Sequence, residues 1–161
     1  MAVRIWAKAG RLILAAGLAA SLSGGAFAQD DGSVITKQYD DGSIYTGTFK
    51  NGRQDGTGTY KLPNGFEYSG QWVAGEIKGE GRATYPNGAV YEGTFAAGKP
   101  EGHGKITFPD GGTYEGDWKD GTMTGNGHAT YADGSAYDGA FLNGERDGAG
   151  ILTMTSGYKY E

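Results

Sequence analysis

The chain has 161 residues, with 32 Gly, 4 Pro, no Cys and a formal net charge of −5. Without Cys there is no disulfide framework, no thiolate metal site and no Cys nucleophile. The acidic balance argues against nucleic acid or anionic lipid held by charge alone, since both need a basic surface.

In chain order, residues 1–28 read as a secretory signal peptide. Arg4, Lys8 and Arg11 form a basic start, Leu12 to Leu22 an apolar run, and Ala26-Phe27-Ala28 an A-x-A site, so cleavage is expected between Ala28 and Gln29. The apolar run is shorter than the roughly 20 residues of a membrane span, and an uncleaved anchor is the competing reading. A chain beginning at Gln29 would carry 11 basic and 19 acidic groups, a net −8. It is expected to be exported, periplasmic or secreted from a bacterial cell.

Residues 29–44 read as a linker and half-unit cap. Tyr39-Asp40-Asp41-Gly42 has the form of a unit end such as Tyr131-Ala132-Asp133-Gly134. A strand from about Val34 to Tyr39 would cover the open edge of the first full unit, as the terminal element of a repeat array must.

From Tyr45 onward the chain is periodic. Tyr45, Tyr68, Tyr91, Tyr114, Tyr137 and Tyr160 stand 23 residues apart, which divides the chain into units 45–67, 68–90, 91–113, 114–136 and 137–159 and the start of a sixth at 160. Twenty-five of the 32 glycines fill five recurring positions of these units, so Gly here is architectural. Disordered Gly-rich chains lack such fixed aromatic spacing, and collagen would need Gly at every third residue.

Each unit reads as two short strands and two tight turns. The first strand carries a Tyr, a Gly and a Phe or Trp at unit positions 1, 3 and 5: Tyr45, Gly47 and Phe49; Tyr68, Gly70 and Trp72; Tyr91, Gly93 and Phe95; Tyr114, Gly116 and Trp118; Tyr137, Gly139 and Phe141. Strand side chains alternate, so these point to one face. A turn follows at Asn51-Gly52, Ala74-Gly75, Ala97-Gly98, Asp120-Gly121 or Asn143-Gly144. The second strand is expected to begin at Gly-x-Gly, positions 12 and 14, and to run to Leu62, Tyr85, Phe108, Tyr131 or Met154. Asn64-Gly65, Asn87-Gly88, Asp110-Gly111, Asp133-Gly134 and Ser156-Gly157 then reverse the chain, and Asn-Gly and Asp-Gly are strong hairpin signals. Gly weakens strands, so glycines recurring in register need a cause. The reading is that positions 3, 12 and 14 lack side chains to let the rings lie over the backbone. The predicted fold is all-β, an elongated antiparallel β-hairpin array of five full units plus the N-terminal half-unit cap. It advances about 10 Å per unit, roughly 50 Å in all.

The pattern Tyr-x-Gly-x-(Phe/Trp)-x-x-Gly followed by Gly-x-Gly, as in YEGTFAAGKPEGHG and YEGDWKDGTMTGNG, resembles the MORN family (membrane occupation and recognition nexus repeats), over residues 45–161. The resemblance implies a hairpin array used as a scaffold, for self-association or for contact with proteins or membranes.

No catalytic constellation stands out. Gly102-His103-Gly104-Lys105 lacks P-loop spacing and belongs to a motif present in every unit. His103 and His128, the only histidines, are not repeat equivalents; two His need further ligands to hold a metal, and a solvated surface is the simpler reading. Glu92, Glu115 and Asp138 all hold unit position 2, which predicts an acidic row opposite the rings, either a solvated face or a cation row. The rings are either core or a stacking platform for sugar or peptide. The expected function is therefore an exported, non-catalytic scaffold for protein contact or self-association through a sheet edge or an aromatic groove, with no cofactor and no nucleic acid. The alternatives are an envelope-glycan or membrane-surface module, or the repeat part of a longer protein with a catalytic domain past residue 161.

Overall fold

The computed structural model describes residues 32–161, so the expected signal peptide and the expected cleavage between Ala28 and Gln29 lie outside the described residues. The described chain is twelve antiparallel strands in one open sheet, in sequence order throughout. A cap strand β1 (Ile35–Gln38) is followed by hairpins β2 (Ile44–Lys50) and β3 (Arg53–Lys61), β4 (Glu67–Val73) and β5 (Glu76–Thr84), and β6 (Val90–Ala96) and β7 (Lys99–Thr107). Then come β8 (Thr113–Lys119) and β9 (Thr122–Thr130), β10 (Ala136–Leu142) and β11 (Glu145–Thr153), and β12 (Lys159–Tyr160). β1 pairs with β2, Lys37 opposite Tyr45, so the half-unit lies against the first edge of the array.

The two turns of a unit differ in kind. Between β2 and β3 both central residues have positive φ, Asn51 at 51° and Gly52 at 74°, the type I′ form that matches strand twist. The same holds at Ala74, Ala97, Asp120 and Asn143, all between 48° and 54°. In the second turn only the Gly is left-handed, for example Gly65 at 92°. There Asn64 acts through its side chain: its Oδ1 accepts from Phe66 N at 2.9 Å, while Gly65 N donates to Leu62 O at 3.1 Å. Asp110 Oδ1 does the same for Gly112 N, and Asp133 Oδ1 for Ser135 N, both at 2.9 Å.

The second strand does not begin at Gly-x-Gly. β3 starts at Arg53, three residues earlier, and β5, β7, β9 and β11 start correspondingly early. The Gly at position 12 lies inside the strand, within a β-bulge. Gly47 faces Gly58 but Phe49 faces Gln54, so Thr48 alone opposes residues 55–57. Gly79 at φ 102° and Gly102 at 74° lie within the equivalent bulges. Position 12 is therefore Gly for its backbone conformation, which corrects the packing reading at that position.

Positions 3 and 14 are the ones a ring requires. A Cβ built on Gly104 would lie 2.1 Å from Tyr91 Oη, and one on Gly58 2.3 Å from Tyr45 Oη. Each Tyr ring lies flat over this glycine track. Tyr45, Tyr68, Tyr91 and Tyr114 are 0% exposed in a sheet that is one layer thick. The rings meet edge to face in an unbroken ladder: Phe49, Tyr45, Trp72, Tyr68, Phe95, Tyr91, Trp118, Tyr114, Phe141, Tyr137, with centroids 4.8–5.6 Å apart. Such contacts add about 0.5–1.5 kcal/mol each to the burial of apolar area. The ladder, rather than a central core, links each unit to the next.

Candidate interaction surface

The fifteen recurring Tyr, Gly and Phe or Trp residues share one face, and that face covers itself. Ile77, Ile106, Met123, Ala83 and Ala129 close over the rings, and Phe49, Trp72, Phe95, Trp118 and Phe141 are all buried. Trp72 Nε1 donates to Gly58 O at 3.2 Å and Trp118 Nε1 to Gly104 O at 3.0 Å. Their polar edges are thus used inside the array. Each position 1 hydroxyl donates to the carbonyl of position 4, as Tyr91 Oη does to Thr94 O at 3.0 Å. Burial pushes the phenols of Tyr45, Tyr68 and Tyr114 up to about 12, so they stay protonated donors at neutral pH. The rings present no stacking platform; they are the core.

On the opposite face Glu92, Glu115 and Asp138 do not form a row of like charge. The register sets Arg82 opposite Glu92, Glu92 opposite Lys105, Lys105 opposite Glu115, Glu115 opposite His128, and His128 opposite Asp138. Arg82 and Lys105 set positive charge between the carboxylates, with contacts of 3.3 Å (Arg82–Glu92) and 3.5 Å (Lys105–Glu115), and the His128 ring lies 2.5 Å from Asp138 (Nδ1–Oδ1). Second-strand position 15 supplies these partners (Arg82, Lys105 and His128), which the acidic pattern alone did not reveal. Exposed pairs of this kind contribute at most about 1 kcal/mol each. His103 stands apart, 3.9 Å from Asp117 Oδ1. Among the described residues no three His, Asp or Glu groups converge to hold a metal ion.

The core reaches solvent at the ends of the sheet, by Ile35 and Leu152, and along one rim. Tyr39, Leu62, Phe108 and Tyr131 are partly buried hydrophobics packed against the core, and all four are the residue just before a second turn, unit position 18. Tyr85, their equivalent in the second unit, is only 5% exposed. Phe66 from the preceding turn lies over it, ring centroids 5.7 Å apart. At Phe66's unit position the next turns carry Ala89 and Gly112. These are too small to cover Phe108 and Tyr131, so those two rings stay half-buried. The turns after these two rings carry Asp110 and Asp133 and no cation within 108–112 or 131–135. Hydrogen bonds from the Ser135 side chain and backbone hold the Asp133 carboxyl below the usual carboxylate range. Arg146 reaches in from β11, its guanidinium 5.8 Å from the Tyr131 ring and 5.3 Å from that of Tyr137.

A solenoid-like sheet with a self-covered aromatic spine and side chains that vary on a fixed skeleton is an interaction repeat. The chain belongs to the MORN repeat family, which matches at residues 45–66, 68–90, 91–113, 114–136 and 137–157. No curated protein matches the chain by sequence. Among solved structures, the TCP domain of SAS-4 (dCPAP) from Drosophila melanogaster, in complex with a proline-rich motif of Ana2 (dSTIL), is similar in fold. The two are 20% identical over 81% of this chain and 71% of that one, with a TM-score of 0.52.

Proposed function

We propose that the protein is an exported, non-catalytic scaffold that binds a protein partner along the rim formed by Leu62, Phe108, Tyr131 and Met154. The observation that carries this reading is that one unit position places Leu62, Phe108 and Tyr131, half-buried, and Met154, exposed, in a single row beside the ring ladder, which is buried from Tyr45 to Phe141. Partly exposed rings that are held in place by a packed core lose little freedom on binding, so their contact area converts well into affinity. The TCP domain adds support, since a domain of similar fold is there in complex with a protein motif. Export rests on the basic start, apolar run and A-x-A site within residues 1–28.

Placing a photo-crosslinking amino acid at Met154, which is 38% exposed, should give a discrete protein adduct in the native cell, whereas the same group at Glu92 should give none. Equal labelling from both positions, or none from either, would remove the rim as the binding surface. Sequencing the N-terminus of the mature protein should return Gln29 first; a chain that keeps residues 1–28 overturns export by cleavage.

A further inference from the structure

The rim has a period of its own. Equivalent side chains of successive units are two strands apart, about 9.6 Å at the usual strand spacing. A polyproline II helix rises about 3.1 Å per residue with three residues per turn, about 9.3 Å per turn. A peptide in that conformation, lying across the strands, would set every third side chain against the next unit. No helix or strand has that match: an α-helical turn advances about 5.4 Å, and a strand repeats on one face about every 6.8 Å.

Charge narrows the partner further. Asp110 and Asp133 lie two residues past Phe108 and Tyr131, each has one carboxylate oxygen engaged by its own turn, and no Lys or Arg lies in either turn. Arg146 also shows that the Tyr131 ring holds a guanidinium at cation–π distance. Half-buried rings beside carboxylates are the chemistry that recognises proline-rich segments with basic residues. We infer that the rim from Phe108 through Tyr131 to Met154 binds a basic, proline-rich segment in polyproline II form, one helical turn per repeat unit. The inference rests on the rim being the protein-binding surface, and it names the class of partner.

The test uses labelled (Pro-Pro-Arg)4 and the full mature chain, read by fluorescence anisotropy. Two control peptides are (Gly-Ser-Arg)4, which keeps the charge without the conformation, and (Pro-Pro-Glu)4, which keeps the conformation with the opposite charge. The expected result is saturable binding of (Pro-Pro-Arg)4, at least tenfold tighter than either control. Gly112→Phe copies Phe66 at the same unit position and should cover Tyr131, weakening binding tenfold or more without lowering Tm. Should that variant not fold, Asp110→Asn with Asp133→Asn keeps both turn acceptors, removes two charges and should weaken binding to a similar degree. Equal affinity for (Pro-Pro-Arg)4 and (Gly-Ser-Arg)4, no binding at all, or binding that none of these changes affects would overturn the inference. A Met154 crosslink to a cellular protein without peptide binding would sink the proline-rich partner and leave the rim as a protein-binding surface. Failure of both would remove the two together.

Discussion

Position 1 is Tyr in every unit because two requirements meet there. The ring must be flat and large enough to lie over the glycine track, and a carbonyl left over by the bulge needs a donor. Thr94 has no partner residue in β7, and Tyr91 Oη supplies its carbonyl at 3.0 Å. Tyr91→Phe keeps the ring contacts with Phe95 and Trp118 at 5.0 Å each and removes only the donor. A buried acceptor left unsatisfied costs about 1–3 kcal/mol. Urea melts should show a loss in that range, and an unchanged midpoint would mean that water replaces the hydroxyl. The floor beneath the ring tolerates less. Gly104→Val would put its Cβ within 2.1–2.6 Å of three Tyr91 atoms, and the ring is packed on all sides. Overpacking of a closed core costs about 1–3 kcal/mol or more, so this variant should melt well below Glu92→Gln, which trims only an exposed ion pair. Equal melting temperatures would contradict the packing account.

At the scale of the strand, the bulge is the feature that repeats least uniformly. Its single residue, position 4, carries a side chain that fills the gap. Gln71 Oε1 accepts from Glu80 N at 2.9 Å, Asp117 Oδ2 from Asn126 N at 3.1 Å, and Thr48 Oγ1 from Thr57 N at 3.3 Å. The fifth unit has Ala140 there, which can do none of this. Ala140→Thr should raise stability by about 0.5–1.5 kcal/mol, the net contribution of one such bond, measured by thermal melts; a fall would show that the fifth bulge is built differently. These bulges also explain what was legible in the sequence. The rings at 1 and 5 and the glycines at 3 and 14 sit on one unbroken alternation, so period two places them. Position 12 lies where that alternation breaks, and a Gly taken for its φ looks the same in a sequence as a Gly taken for its size. Past the bulge the pairing of β6 with β7 slips by two residues, so the meeting of Glu92 with Lys105 could not be counted out from unit positions alone, whereas Arg82 faces Glu92 across a pairing with no bulge. The rim was half legible. Leu62, Tyr85, Phe108, Tyr131 and Met154 stand out as bulky strand ends, but their exposure depends on Phe66, Ala89 and Gly112 in the preceding turn, a contact between units.

Across the whole molecule, stability is a chain of neighbouring terms, and the tyrosines give it a pH limit. The phenols of Tyr45, Tyr68 and Tyr114 lie near 12, raised chiefly by burial, against about 10 in an unfolded chain. Above pH 10 the unfolded state loses phenolic protons that the folded state keeps, so stability falls as pH rises. The contribution is complete below pH 10 and is lost between about 10 and 12. Tm should therefore be level from pH 7 to 9 and drop steeply beyond 10, in step with the phenolate absorbance; a Tm that holds to pH 12 would mean the rings are more open than their burial indicates. The same neighbour-to-neighbour design makes unit length the quantity to test. Deleting residues 91–113 joins Val90 to Tyr114 and brings Trp118 against Tyr68 where Phe95 now stands at 5.0 Å. That pairing of Trp with the preceding Tyr already occurs at Tyr45–Trp72 and Tyr91–Trp118. Arg82 would meet Glu115 in place of Glu92, so that pairing of opposite charges survives as well. The shortened chain should fold to the same strand content per residue, with a smaller m-value and a lower Tm. Deleting 91–112 instead removes one residue fewer and leaves the junction out of phase. Side-chain period is two, so that single residue turns the rings of one strand to the wrong face. Circular dichroism and urea melts on the pair should show a cooperative fold for the 23-residue deletion and a broken one for the 22-residue deletion; if both fold alike, the ladder of rings is not what holds the units in register.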